Sequence, residues 1–154
     1  MARYVIGLDY ATDKVRALVV NADTGECVAS NAKYYMRWKK GLYCDENKNQ
    51  WRQHPKDFLE TLESSVKDVL AQCPLGVASQ VVALAFDTTG STPAFTDETG
   101  TPLAMLPEFS DNPNAMFILW KDHTAVAEAA EINTLSKQWK TDYTKYEGGV
   151  YSAE

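Results

Sequence analysis

Apolar positions in the first 35 residues fall into three short runs, at 3–9, 15–21 and 26–35. Runs of this length that are rich in β-branched and aromatic residues predict β-strands. Between the second and third runs, Asp23, Thr24 and Gly25 supply the small and polar residues that a tight turn needs. The chain is therefore predicted to begin with three consecutive strands.

The spacing of apolar residues changes from Pro55 onward, and proline is favoured in the first turn of a helix. Apolar residues then recur three or four positions apart, at Phe58, Leu62, Val66, Val69 and Leu70. This spacing predicts a helix with one buried face, which ends before Pro74.

The rest of the chain adds one strong strand signal and a second helix. Residues 81–86 are continuously apolar, which is typical of a strand covered on both faces. Residues 94–97 and 103–106 predict a hairpin, residues 36–53 have no clean period, and a helix is predicted after residue 124. This order predicts a mixed α/β sheet with helices on its faces.

Composition narrows the classes of function. The chain has 154 residues, enough for one domain, and a net charge of −6. A negative balance disfavours nonspecific binding to nucleic acid or to an anionic membrane, so the basic and aromatic segment 36–40 is interpreted as a solvated face. Three cysteines without a C-x-x-C pair and two isolated histidines favour a reduced, cytoplasmic chain without a zinc site.

Three carboxylates follow predicted strands or precede the second helix: Asp9, Asp87 and Asp122. Strand ends of an open α/β sheet converge on a crevice, so Asp9 and Asp87 would share a cleft if their strands are neighbours. The alternative is that each carboxylate caps a turn or a helix, and the helix after Asp122 favours that alternative there.

Three segments carry groups suited to phosphate or sugar. Asp9 leads into a short turn whose backbone N–H groups and hydroxyl could hold phosphate oxygens, although a plain hairpin with a solvated Asp9 fits the same residues. Residues 87–92 place hydroxyls around Gly90, which suits a polyol or an ordinary turn. Residues 120–123 combine an aromatic ring with charged and polar groups, which suits a sugar or a core tryptophan followed by a helix start.

Taken together, these segments resemble the N-terminal part of carbohydrate kinases of the FGGY family. The similar motifs are GLDYATDKVR at 7–16, QHP at 53–55, DTTGSTP at 87–93, PEF at 107–109 and DNPNAMFILWKDHTA at 111–125. The last motif is long and specific, whereas the first alone is shared in form with actin-like and chaperone ATPases.

The resemblance implies a ribonuclease-H-like fold and, in a full-length kinase, two such domains around a deep cleft. Residues 1–154 would be the N-terminal domain, truncated where Ser152 could start a helix, and the C-terminal ATPase-like domain would be absent. The implied reaction is ATP-dependent phosphorylation of a small sugar, L-ribulose or a related pentulose, with Mg²⁺. The general base would lie in the absent domain, so no catalytic residue is expected in this segment.

Site residues follow from the same resemblance. Asp9 would orient Mg²⁺ through water, and Thr12 with Lys14 would face the phosphates. The sugar-binding residues would be Thr89, Gly90, Trp120, Lys121 and Asp122. Two positions depart from the family pattern, because Ala11 replaces a usual glycine and Lys14 a frequent serine.

Other functions remain open from the sequence. They are a kinase for another pentulose or polyol, a two-metal nuclease of the same fold class that uses Asp9 and Asp87, and a non-catalytic binding domain. The exposed cleft face could also support a homodimer.

Overall fold

The computed structural model describes residues 2–153. Its strands are β1 (Tyr4–Tyr10), β2 (Lys14–Asn21), β3 (Cys27–Tyr34), β4 (Cys44–Asp45), β5 (Gln50–Gln53), β6 (Val81–Thr88) and β7 (Phe117–Ile118). Its α-helices are α1 (Met36–Lys39), α2 (Pro55–Ala71) and α3 (Val126–Leu135). Short 3₁₀ turns connect several of these elements.

The main sheet has four strands in the order β3-β2-β1-β6. Strands β1, β2 and β3 pair antiparallel, while β6 pairs parallel to β1 after the chain crosses over through α2. The predicted mixed α/β sheet is thereby confirmed. The first three strands and the long helix also match their predicted positions to within two residues.

One face of this sheet forms the core against α2. Its buried side chains alternate along the two central strands, as the period of a β-strand requires. They are Ile6, Leu8, Tyr10, Val15, Ala17 and Val19. Val69 packs against them from the helix, and Phe58 stacks on Tyr10 with ring centroids 5.5 Å apart.

The segment between β3 and α2 is ordered by a buried carboxylate. Asp57 is 1% exposed and accepts hydrogen bonds from the backbone N–H groups of Arg37 and Trp38. The guanidinium of Arg37 also pairs with Asp57 and Glu60. These contacts fix α1 against the start of α2. The interpretation of residues 36–40 as a solvated face therefore holds for Met36, Lys39 and Lys40, which are exposed, but not for Arg37 and Trp38.

Strand β5 joins a second, three-stranded antiparallel sheet in the order β4-β5-β7. The sequence pattern predicts no regular element over residues 36–53, because these strands are only two to four residues long and their side chains are mixed. Through this small sheet, the segment at 117–124 lies beside β5.

Three expectations from the sequence differ from the structure. Strand β6 was predicted to be covered on both faces, but its residues 82–88 are exposed. The predicted hairpin over 94–106 is reduced to a single bridge between Thr96 and Pro102, followed by a 3₁₀ turn. The predicted apolar face of the second helix buries Ala129 but leaves Leu135 exposed.

The helix start proposed at Ser152 extends to Glu154, which lies outside the described residues. Residues 151–153 are not helical. Within residues 2–153, no helix is both long enough and apolar enough to cross a membrane.

His54 caps the N-terminus of α2 as a neutral imidazole. It is 3% exposed, and its Nδ1 accepts a hydrogen bond from the backbone N–H of Lys56 at 3.0 Å. Burial lowers the pKa of His54, and the positive charges of Arg37 and Lys56 lower it further. A protonated ring could not accept the capping bond.

We therefore expect the free energy of unfolding to fall by about 1 kcal/mol as the pH drops from about 7 to 5, because the unfolded chain binds a proton that the folded His54 resists. Urea unfolding at several pH values measures this loss. His54→Asn keeps a capping acceptor that does not titrate, so it should remove this component. His123→Gln changes an exposed histidine and should retain it. An unchanged pH dependence in His54→Asn would contradict the assignment.

Candidate functional site

Two carboxylates and an arginine lie side by side on the sheet face opposite α2. In the sheet register, Asp9 is paired with Asp87 of β6 on one side and with Arg16 of β2 on the other. Leu8 and Tyr10 point toward α2, so Asp9 between them points to the opposite face. Arg16 Nη1 lies 2.6 Å from Asp9 Oδ2, and both side chains are partly exposed. The expected meeting of Asp9 and Asp87 is thus found in the register, and Arg16 is a partner that the sequence reasoning missed.

The turn after β1 is closed by a hydrogen bond of 3.0 Å from the Ala11 N–H to the Lys14 carbonyl. Ala11 is not among the non-glycine residues with positive φ in the described chain. The replacement of glycine at this position therefore needs no left-handed backbone. Its remaining consequence is a methyl group beside the turn.

Thr12 is the point where the two predicted halves of the site meet. Its carbonyl accepts a hydrogen bond of 2.6 Å from Gln53 Nε2, and Gln53 is 2% exposed. Its hydroxyl oxygen lies 3.4 Å from Trp120 Nε1, which donates to it. An indole N–H can only donate, so the Thr12 hydroxyl keeps its own proton for another acceptor.

Lys14, the other predicted phosphate contact, has two neighbours close by. Its Nζ lies 4.8 Å from the ring centroid of Tyr34 and 3.6 Å from Asp13 Oδ2. Lys39 Nζ lies 5.1 Å from the centre of the same ring. These contacts hold Lys14 beside Tyr34, on the same sheet face as Arg16.

Trp120 is half-exposed, and the ammonium group of Lys121 lies over two indole rings. Lys121 Nζ lies 3.6 Å from the ring centroid of Trp51 and 5.3 Å from that of Trp38. A cation over indole faces is attracted by their negative electrostatic potential. Its position is therefore set by Trp38 and Trp51, neither of which the sequence reasoning had placed in the site.

Asp122 is 2% exposed and forms a buried ion pair with Arg52, whose Nε lies 2.7 Å from Asp122 Oδ2. The same oxygen accepts the Trp51 backbone N–H at 2.7 Å, and Oδ1 accepts the hydroxyl and N–H of Thr124. Burial opposes the ionisation of Asp122, but the hydrogen bonds from Arg52 and Thr124 outweigh it and hold the pKa of its carboxyl below the usual value. Both oxygens are engaged within the protein, but Asp122 does not cap the second helix, because α3 has Ala125 at its N-cap and no side-chain capping bond.

The loop after β6 borders an apolar depression. Its lining consists of Tyr10, Phe58, Phe86, Thr88, Thr89, Thr92 and Phe117. Thr89 is tied to the end of β1 by its N–H, which donates to the Tyr10 carbonyl at 3.3 Å. A Cβ at Gly90 would meet no atom within 4 Å, so the surface at Gly90 is open. Next to it, Ser91 has a φ of 50°, a left-handed conformation that costs about 1–2 kcal/mol for a non-glycine residue.

Mg²⁺ at this position would take Asp9 and Asp87 as ligands, in competition with Arg16, which pairs with Asp9 Oδ2. Mg²⁺ prefers carboxylate oxygens and keeps several waters, so it needs only one or two protein carboxylates beside a phosphate. Within the described residues, no group of three or more histidine, cysteine or acidic side chains is arranged to hold a metal on its own.

Comparisons with known proteins find relatives that align with almost the whole chain. The chain is 58% identical over 153 residues to a ribulokinase of Vibrio parahaemolyticus, and 34% identical over 159 aligned positions to one of Shouchella clausii. These alignments cover 99% and 100% of the chain. The chain is homologous to one segment of the ribulokinases. It spans 27% and 28% of the length of these two curated relatives, and no family model matches it.

This chain, which is similar to ribulokinases, has the same fold as a solved structure. It is the crystal structure of a gluconate kinase from Lactobacillus acidophilus, with a TM-score of 0.65 and 16% sequence identity. The match covers 90% of this chain and 24% of the other. The expected ribonuclease-H-like α/β fold is therefore confirmed.

The ion pair of Asp122 allows a direct test. Asp122→Asn should lower the free energy of unfolding by about 3–5 kcal/mol, because it leaves the buried Arg52 without a counter-charge. Glu63→Gln, which breaks the exposed Glu63–Lys67 pair, should leave the free energy of unfolding almost unchanged. Urea denaturation of the three proteins at neutral pH measures both values. Equal, small losses in the two variants would show that the buried pair does not hold this segment.

Proposed function

We propose that this chain is the sugar-binding, N-terminal domain of a kinase that transfers the terminal phosphate of ATP to the 5-hydroxyl of L-ribulose. The observation that carries the proposal is the contact between Trp120 and Thr12, which joins the sugar-side motif to the phosphate-side turn. The ribulokinase relatives supply the identity of the sugar. The chain alone would provide one wall of the cleft.

The phosphate side of the proposed site consists of the β1–β2 turn and its charged neighbours. Thr12 would donate its hydroxyl proton to a phosphate oxygen while its own oxygen accepts the Trp120 N–H. Lys14 and Arg16 would add positive charge on the same face, where phosphoryl transfer depends on positioning and charge stabilisation. Asp9 would hold Mg²⁺ through water, with Asp87 beside it, and the ion would neutralise charge on the transferring phosphate.

The sugar side consists of the half-exposed Trp120 face and the open surface at Gly90. A sugar has apolar C–H faces that pack on an indole ring and hydroxyl edges that bond to polar groups such as Thr89. Lys121 would present its charge beside Trp38 and Trp51. Asp122 would contribute by holding residues 120–121 in place, since both of its oxygens are engaged by the protein.

The comparisons weigh against two of the alternative functions but not against the third. A nuclease or a non-catalytic domain is not favoured, because the relatives that cover the whole chain are kinases by name. A kinase for another pentulose or a polyol uses the same groups, and binding measurements with several sugars separate it from the proposal.

Trp120 and Trp139 provide a matched pair for a sugar-binding test, because both side chains are 45% exposed. Calorimetry should show weak binding of L-ribulose to the unaltered chain. Trp120→Ala should weaken it at least about tenfold, since the loss of one buried apolar ring face is worth roughly 1.5–3 kcal/mol. Trp139→Ala should leave the affinity unchanged. Equal effects of the two variants would remove Trp120 from the sugar site, and binding of no pentulose or polyol would favour a non-catalytic domain.

The isolated chain should not turn over ATP in a ribulose-dependent way, because the proposal places the general base and the nucleotide pocket in a second domain. A coupled assay for ADP release, with and without L-ribulose, measures this. Turnover at an ordinary kinase rate by the 154-residue chain would refute the division into two domains.

A further inference from the structure

Arg16 holds one oxygen of the carboxylate at which the metal ion of the proposed function would bind. On the basis of that function, we propose that Arg16 is an internal counter-ion, which a divalent cation must displace from Asp9. Arg16 Nη1 donates a hydrogen bond of 2.6 Å to Asp9 Oδ2. A guanidinium and a metal ion compete for such an oxygen, because both are cations that use its lone pairs.

Two like charges on neighbouring strands create the need for a counter-ion. Asp9 and Asp87 are register partners in the parallel pair of β1 and β6. Their side chains therefore leave the same face of the sheet, from strands about 4.8 Å apart. Like charges in facing positions repel each other and destabilise the pairing. Arg16, the register partner of Asp9 on β2, offsets one of the two negative charges.

Lys14 does not take this role, although it leaves the same face two positions before Arg16. Its Nζ lies 3.6 Å from Asp13 Oδ2 and 4.8 Å from the ring centroid of Tyr34, so its charge is engaged there. Among residues 2–153, no cationic side chain forms an ion pair with Asp87. The face therefore keeps an uncompensated negative charge beside β1, and that charge attracts a further cation.

The exposure of the pair makes it exchangeable. The side chains of Arg16 and Asp9 are 49% and 37% exposed. Water screens such a pair, so breaking it costs little free energy. The pair of Arg52 and Asp122 differs, because its side chains are only 5% and 2% exposed. Two carboxylates attract a divalent cation more strongly than one guanidinium, so Arg16 would release Asp9 when such an ion binds.

A titration of the chain with Mn²⁺ tests the counter-ion role. Carboxylate and water oxygens suit Mn²⁺ as they suit Mg²⁺, and the EPR spectrum of Mn²⁺ distinguishes free from bound ion. Arg16→Gln should bind Mn²⁺ at least about threefold more tightly than the unaltered chain, because the competing cation and its repulsion are both removed. Arg16→Lys keeps the positive charge, so it should bind Mn²⁺ more weakly than Arg16→Gln.

Arg3→Gln is the matched control, since it removes the same charge from the exposed pair with Asp23, six residues before Asp9. It should leave the affinity for Mn²⁺ unchanged. Asp9→Asn in the Arg16→Gln background should weaken binding at least about tenfold, because a carboxylate ligand is lost. This loss, together with paramagnetic broadening of the amide resonances around Asp9, locates the bound ion.

Three results would overturn the counter-ion role of Arg16. They are an Arg16→Gln affinity no higher than that of the unaltered chain, an equal gain in Arg3→Gln, and no binding of Mn²⁺ at millimolar concentration by either the unaltered chain or Arg16→Gln. Calorimetry with L-ribulose on the same samples keeps the two proposals apart. Sugar binding without a gain in Arg16→Gln would remove the counter-ion and retain the sugar-binding domain, whereas the reverse result would count against the proposed function alone.

Discussion

The buried ion pair between Arg52 and Asp122 is the contact on which the candidate site depends. Its two partners are 70 positions apart in the chain, and both are nearly inaccessible to solvent. Arg52 also donates to Thr124 and Asn114, so one guanidinium connects β5 to the segments on both sides of β7. A buried pair of this kind adds little net stability over an apolar pair of similar size, but it tolerates few alternative arrangements of the chain around it. We infer that its role is to specify the path of residues 114–124.

Strand β5 positions both halves of the candidate site. Its consecutive residues Trp51, Arg52 and Gln53 contact Lys121, Asp122 and Thr12. The first two contacts position the segment proposed to bind the sugar, and the third positions the turn proposed to face the phosphate. Since these three residues share one short strand, the two halves of the site are held at a fixed distance. The hydrogen bond from Trp120 to Thr12 connects the two halves directly.

The sequence predicted the elements whose signals are local. The strands at β1 and β2 and the helix α2 follow from apolar periodicity, and Asp9 beside Asp87 follows from the convergence of strand ends. The role of β5 could not be predicted in this way, because Arg52 and Gln53 are polar and their burial depends on partners far along the chain. The ion pair of Asp122 could not be predicted for the same reason, and its sequence neighbours suggested a helix cap or a sugar contact. Only the fold brings Arg52 to it.

The exposure of β6 has a different physical cause. Its apolar composition was interpreted as burial on both faces, and that interpretation describes the environment the side chains favour rather than the one that residues 2–153 supply. The chain spans 27% of the length of its Vibrio parahaemolyticus relative, so a polypeptide of that length has further residues that can pair with the free edge of β6. Additional covalently linked chain would have the advantage of a high effective concentration. The apolar side chains of β6 therefore fit a strand that is covered by further residues in a polypeptide of the relatives' length.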